Sequence, residues 1–77
     1  MSQSEKTSIE GKVVRVELEG GFWGVIDSAG NRYVPIDPLE RPFLGNGLSI
    51  SADIELVTVF SATMWGKHAR FHKIRSL

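Results

Sequence analysis

The sequence predicts an all-β protein, a small barrel of five antiparallel strands. Apolar and polar residues alternate over several short segments, which is typical of half-buried strands. Clusters of glycine, proline, asparagine and aspartate separate these segments, and no segment shows the period of an amphipathic helix. The 77 residues suffice for one domain. We expect a polar, disordered leader over residues 1–8 and a single barrel domain over residues 9–77.

The first strand is predicted over residues 9–18. Val14, Val16 and Leu18 fall on one face of this segment, and charged residues fall on the other. Such alternation indicates a strand with one face in the core. The glycine pair at positions 20 and 21 then ends the strand and relieves a sharp turn.

A β-hairpin is predicted from the segment FWGVIDSAGNRYVPI. Its strands cover residues 22–27 and 31–36, and the sequence DSAGN between them is rich in turn formers. Gly24 lies inside the first of these strands. An internal glycine is typical of a bend or a bulge, such as small barrels use at their corners.

Two further strands follow a proline-containing loop. The loop covers residues 37–46, with one helical turn around Leu39 to Phe43, because its two prolines disfavour both a central strand and a long helix. The segment LSISADIEL alternates cleanly and predicts a strand over residues 47–60, with a phase shift after Leu56. The last strand is predicted over residues 68–75.

The predicted core combines the inward residues of these strands. We expect seven of them to be buried: Val14, Val16, Val25, Ile50, Ile54, Leu56 and Phe71. Four aromatic residues are interpreted as core residues or plugs at the barrel ends: Phe22, Tyr33, Phe60 and Phe71. Five short strands with a longer connection between the third and fourth match an OB-type barrel, with an SH3-like barrel as the alternative.

Charge is distributed unevenly along a chain of zero formal net charge. Residues 1–60 carry nine acidic and five basic side chains, whereas residues 61–77 carry four basic side chains and no acidic one. The four are Lys67, Arg70, Lys73 and Arg75. This basic strand either binds an anion or lies beside the acidic first strand and forms cross-strand ion pairs, which is the interpretation we favour.

The cysteine content, the first residues and the length of the apolar runs bear on the expected location of the protein. It contains no cysteine, so the core must hold the fold without disulfides or thiolate metal sites. The start MSQSEKTS lacks an apolar signal region, and no apolar run approaches the roughly 20 residues of a membrane span. We predict a cytoplasmic protein, with export of a longer precursor as the alternative, that is a monomer or a weak homodimer.

The order of motifs resembles that of a cold-shock domain over residues 9–56. GKV begins a strand, GGFWGVI and RYVPI follow in a hairpin, and GLSISADIEL comes later. The resemblance implies an OB-type fold and single-stranded nucleic acid as a ligand. However, cold-shock strands carry aromatic residues two apart so that both rings stack on bases. Here Phe22 and Trp23 are adjacent, and Glu17 and Glu19 lie beside them.

A closer resemblance is to a family of small, mostly uncharacterised bacterial β-barrel domains. Members share EGGF[WY]G, a following [YF]xP[IVL] strand, a proline-rich loop and a late MWG. The corresponding residues here are 19–24, 33–36, 37–43 and 64–66. The resemblance implies an OB-like barrel and carries no activity with it.

Residue patterns for catalysis or metal binding are weak. His68 and His72 are four apart, which on a strand separates them by roughly 13 Å, too far for one metal ion. The acidic pairs Glu17/Glu19 and Asp53/Glu55 lie on exposed strand faces without an apolar surrounding that would raise a pKa. We therefore expect no enzyme, no metal and no cofactor.

The sequence favours a non-catalytic OB-like module that binds a protein or a small ligand. The alternative is weak binding of single-stranded nucleic acid through the basic last strand. Candidate contact residues are Phe22, Trp23, Tyr33, Trp65, Lys67, Arg70 and Lys73. Each tryptophan is next to a glycine, which favours packing of its ring over backbone. An exposed tryptophan would be the best anchor for a partner.

Overall fold

The computed structural model describes residues 6–18, 20–58 and 65–77, and within these it is all-β. Five strands close into a barrel in the order β1-β2-β3-β5-β4. This architecture confirms the predicted fold class and is consistent with a small OB-like barrel. The strands are β1 (Lys6–Val16), β2 (Phe22–Asp27), β3 (Arg32–Pro35), β4 (Ser49–Leu56) and β5 (Lys67–Ser76).

One neighbouring pair of strands is parallel, whereas the sequence predicted antiparallel pairing throughout. β3 and β5 run in the same direction, with Tyr33 opposite Lys67 and Pro35 opposite Ala69. The other four pairs are antiparallel. The reason is geometric: directions cannot alternate around a closed ring with an odd number of strands, so a closed barrel of five strands needs at least one parallel pair.

β1 is shared between two neighbours, and this changes which of its side chains face inward. Its first part pairs with β4 over residues 6–12, and its second part pairs with β2 over residues 11–16. Gly11 lies where the two ladders overlap, and a Cβ atom there would approach the Asp27 Cα to 2.8 Å. Only glycine therefore allows the close crossing of backbones at this corner.

The phase predicted for β1 is consequently wrong in part. Ile9 and Val13 face the core and Val16 is buried, but Val14 is only half-buried and Leu18 is 52% exposed. β1 begins at Lys6, so residues 6–8 belong to the strand rather than to the predicted leader. Residues 1–5 lie outside the described part of the chain.

β4 follows its predicted pattern most closely. Ile50, Ala52 and Ile54 are buried and face the barrel interior, as expected. Leu56 was predicted to be buried as well, but it is 49% exposed because it ends the strand at the rim of the barrel. β4 does not continue through residues 57–58, and residues 59–60, with the predicted plug Phe60, lie outside the described residues.

β5 contains an irregularity that adjusts its inward face. Its register with β4 shifts between the pairs Asp53–His72 and Ser51–Arg75, and Lys73 has a φ of +50°. The extra residue of this bulge lets Phe71 and Ile74, three positions apart, both pack against the core. Phe71 is half-buried rather than buried.

The predicted loop between β3 and β4 is confirmed. It contains a single 3-10 turn at Arg41–Phe43, as the proline pattern indicated. Leu39 from this loop is part of the core, and Phe43 packs against it. No helix within the described ranges has the length and apolarity that a membrane crossing needs. The buried core comprises Ile9, Val13, Val25, Tyr33, Leu39, Ile50, Ala52, Ile54 and Ala69.

Candidate functional site

The glycine pair before β2 forms the predicted tight turn. Gly20 and Gly21 have φ angles of +87° and +91°, which glycine adopts without strain. The Gly21 N–H donates a hydrogen bond to the Leu18 carbonyl oxygen at 2.8 Å. This turn reverses the chain so that Phe22 and Trp23 begin β2 opposite Val16 and Arg15.

Phe22 and Trp23 point to opposite faces of β2, as their adjacency predicted. Phe22 lies on the outer face, where its ring meets the edge of the Trp65 ring at a centroid distance of 5.9 Å. Trp23 lies on the inner face and packs against the core. Two consecutive bases therefore cannot stack on these two rings as they would on a cold-shock surface.

Gly24 accommodates the ring of Trp65. The β1–β2 register runs without a shift through the pair Val14–Gly24, so β2 has no bulge at this position. A Cβ atom at position 24 would lie 2.5 Å from Cζ3 of Trp65 and 2.6 Å from its Cη2. The glycine of FWG thus leaves the space that the tryptophan of MWG occupies.

Trp65 is held by contacts within the protein. Besides Phe22 and Gly24, the Arg32 guanidinium lies 5.5 Å from the centroid of the Trp65 ring, within cation–π range. The next residue, Gly66, packs against the backbone of Arg32, where a Cβ atom would approach the carbonyl oxygen to 2.7 Å. These contacts attach the chain entering β5 to the outer face of the β2–β3 hairpin.

Trp23 lies at one end of the barrel beneath an arginine. The Arg15 guanidinium is 5.5 Å from the centroid of the Trp23 ring, and its Nε donates to Oε2 of Glu17 at 3.2 Å. The backbone N–H of Arg15 donates to Oδ1 of Asn46 at 2.9 Å, which connects β1 to the loop before β4. Arg15 and Trp23 thus form one wall of an opening at this barrel end.

This opening is a groove of about 310 Å³, which we call the Trp23 groove. Most of its lining is apolar, and its charged side chains are Arg15 and Asp37. Leu44 lies at the rim and is 37% exposed. An apolar cleft with few polar groups is the usual form of a binding site. The groove is lined by Arg15, Gly21, Phe22, Trp23, the segment 34–39 and Leu44.

Tyr33 is buried, and its side chain takes part in the hydrogen-bonded turn after β2. Its hydroxyl donates to Oδ2 of Asp27 at 3.0 Å. The other Asp27 oxygen accepts from the backbone N–H groups of Ala29 and Asn31. Burial acts to raise the pKa of Asp27, but the hydrogen bonds from Asn31, Tyr33 and Ala29 outweigh it and lower that pKa. Burial and Asp27 together raise the pKa of Tyr33.

The basic side chains of β5 are spread among acidic ones. Arg70 is opposite Glu55 in the β4–β5 ladder, and its Nη1 is 3.9 Å from Oδ2 of Asp37. The acidic residues next to Arg70 therefore lie on β4 and in the loop after β3, and β5 does not lie beside β1 as predicted. Lys73 and Arg75 line a separate polar depression with Glu10, Asp27 and Asp53. Exposed Lys67 begins β5.

Within the described residues, no group of three histidine, aspartate or glutamate side chains converges. His72 is opposite Asp53, and its Nε2 is 3.4 Å from Oε1 of Glu55. His68 pairs with Val34 on another part of β5. The two histidines therefore take part in separate strand contacts.

Sequence reasoning missed the residues that complete the groove. It singled out Trp23 but not Arg15, Leu39 or Leu44, which approach from other elements. The available signal was the presence of two leucines, Leu39 and Leu44, in the proline-containing loop. No family model, curated protein or solved structure matches the chain.

Proposed function

We propose that the protein is a non-catalytic, OB-like binding module whose ligand, a protein segment or a small molecule, occupies the Trp23 groove. The observation that carries this proposal is a half-buried tryptophan at an apolar opening, with an arginine over its ring. Tryptophan and arginine are the residue types most enriched among energetically dominant contacts. Asp27 and Tyr33, whose pKa values are both shifted, are hydrogen-bonded to each other within a turn, which supports a structural role for both.

A second candidate is weak binding of single-stranded nucleic acid through β5. The concentration of lysine and arginine on this strand favours it. The acidic residues around Arg70 oppose it, and so does the engagement of the Trp65 ring by Gly24 and Arg32. The bacterial family resemblance, the cytoplasmic location and the oligomeric state stay predictions from the sequence.

Chemical-shift mapping on ¹⁵N-labelled protein tests the proposal. One sample is titrated with phenylbutyrate, which combines an aromatic body with a carboxylate, and another with oligothymidine at low salt. We expect phenylbutyrate to shift the amides of Trp23, Leu39 and Leu44, and oligothymidine to leave them unchanged. Leu44→Ser should weaken the phenylbutyrate shifts, whereas Leu56→Ser should not, because Leu56 is an exposed leucine that does not line the groove.

Two results would contradict the proposal. One is the absence of phenylbutyrate shifts at the groove. The other is oligothymidine binding that maps to Phe22, Trp23 and the Trp65 ring. Oligothymidine shifts confined to residues 67–75, without groove shifts in the other titration, would favour the second candidate.

A further inference from the structure

The ladder between β2 and β3 ends early, and the register shows why. In the described residues it consists of the pairs Val25–Tyr33 and Ile26–Arg32. Continuing this antiparallel register by two residues places Trp23 opposite Pro35. Since proline has no backbone N–H, it cannot donate to the strand opposite.

The backbone carbonyl of Trp23 points toward β3, where the residue at position 35 would otherwise supply an N–H donor. The N–H of Val13 donates to Leu48 and that of Arg15 donates to Asn46, so both groups point away from β2. Their partners in the β1–β2 ladder, Val25 and Trp23, must then point away from β1, toward β3. Consistently, the Asp27 N–H donates to the Asn31 carbonyl on the same side.

Pro35 therefore leaves the Trp23 carbonyl without the hydrogen bond that a strand residue would supply. Ile36, the next N–H along, donates to the Ala69 carbonyl of β5 at 2.9 Å. The Trp23 groove is bounded by Phe22 and Trp23 on one side and by the segment 34–36 on the other. A backbone acceptor thus lies beside an apolar cleft that opens to solvent.

We propose that this opening binds an extended acidic peptide of a partner protein. A peptide N–H donates to the Trp23 carbonyl and supplies the hydrogen bond that Pro35 cannot, in the manner of strand addition. An apolar side chain of the peptide packs among Trp23, Leu39 and Leu44. A neighbouring carboxylate of the peptide pairs with the Arg15 guanidinium. Its Nε–H donates to Glu17, and its other N–H groups have no hydrogen-bond partner among the described residues.

The inference rests on the proposed function and adds the class of ligand. Its test is selection of a phage-displayed library of random linear peptides against the wild-type protein and against Pro35→Val. Valine restores the N–H at position 35, so the ladder can close over the site. Pro38→Val is the matched control, because Pro38 lines the same groove but lies outside β3.

We expect wild type and Pro38→Val to enrich peptides in which an apolar residue is followed closely by Asp or Glu. These peptides should bind Pro35→Val at least about tenfold more weakly, the factor that a hydrogen bond of about 1.4 kcal/mol supplies. Protection of the new amide at position 35 from hydrogen exchange would show that the variant is folded and its ladder extended.

Three results would overturn the inference. They are no enrichment on the wild-type protein, equal binding of the enriched peptides to Pro35→Val, and an enriched consensus without acidic residues. Groove shifts with phenylbutyrate in the absence of peptide enrichment would leave the proposed function standing while the peptide inference fails.

Discussion

Replacing Gly24 by alanine tests how the two tryptophan-containing segments pack. The new methyl group would lie 2.5–2.6 Å from two ring carbons of Trp65, whereas ordinary contacts are 3.4–4 Å. The ring must therefore retreat by about 1 Å from β2 and loosen its contacts with Phe22 and Arg32. Overpacking of this kind costs about 1–3 kcal/mol. We expect Gly24→Ala to destabilise the protein by about 2 kcal/mol.

Urea denaturation of a double-mutant cycle measures this coupling. In a Trp65→Ala background the ring is gone, and Gly24→Ala should be neutral or stabilise by up to about 1 kcal/mol, because glycine is unfavourable inside a strand. Gly45→Ala is the matched control, since its Cβ atom would meet only Leu48 at an ordinary 3.6 Å. An equal effect of Gly24→Ala in both backgrounds would refute the packing argument.

Three further tests, with four substitutions, concern the core, the bulge and the hydrogen-bonded turn at Asp27. Ile54→Ala should lower the free energy of unfolding, measured by urea denaturation, by about 2–5 kcal/mol, because the Ile54 side chain is 2% exposed. Leu56→Ala should change it by about 0.5 kcal/mol or less. Equal effects of the two variants would contradict the assignment of Ile54 to the inner face. Lys73→Gly should stabilise the protein by about 1 kcal/mol, because the positive φ at this bulge disfavours a residue with a Cβ atom. A lower melting temperature of the variant would show that contacts of the lysine side chain stabilise the protein by more than the backbone strain destabilises it. Because the pKa of Asp27 is lowered in the folded state, its contribution to stability is present above the unfolded pKa of about 4 and is lost as the pH falls through the folded value. Asp27→Asn should therefore show a shallower loss of stability in acid than wild type, and identical pH profiles would contradict the hydrogen-bonded carboxylate.

Burial was predicted most accurately for elements that keep the same neighbouring strands along their whole length. β4 alternates with a period of two, and Ile50, Ala52 and Ile54 are buried as that period requires. The hairpin turn was equally clear, because Asp27, Asn31 and the residues between them carry local turn chemistry. Local rules suffice for such elements.

The prediction failed where a side chain's environment comes from distant parts of the chain. β1 changes its partner from β4 to β2 near Gly11, so no single phase describes its buried residues. The reason for a glycine at position 24 could not be read from its sequence neighbours, because the ring that needs the space belongs to Trp65. The acidic partners of Arg70 could not be placed without the strand order.

The Trp23 groove was predictable only in part for the same reason. Trp23 stood out as a large aromatic residue beside glycine, but Arg15 and Leu44 reach the groove from other elements. Pro35 was visible in the sequence as a poor strand residue. Its consequence for the Trp23 carbonyl emerges only from the register of β2 against β3.

Scalar couplings across backbone hydrogen bonds test the central claim most directly, since they report which carbonyl accepts from which N–H. In wild type we predict a coupling between the Tyr33 N–H and the Val25 carbonyl, and none at the Trp23 carbonyl. In Pro35→Val we predict a new coupling between the backbone N–H at position 35 and the Trp23 carbonyl. A coupling to the Trp23 carbonyl in wild type, or none in the variant, would contradict the open position beside the groove.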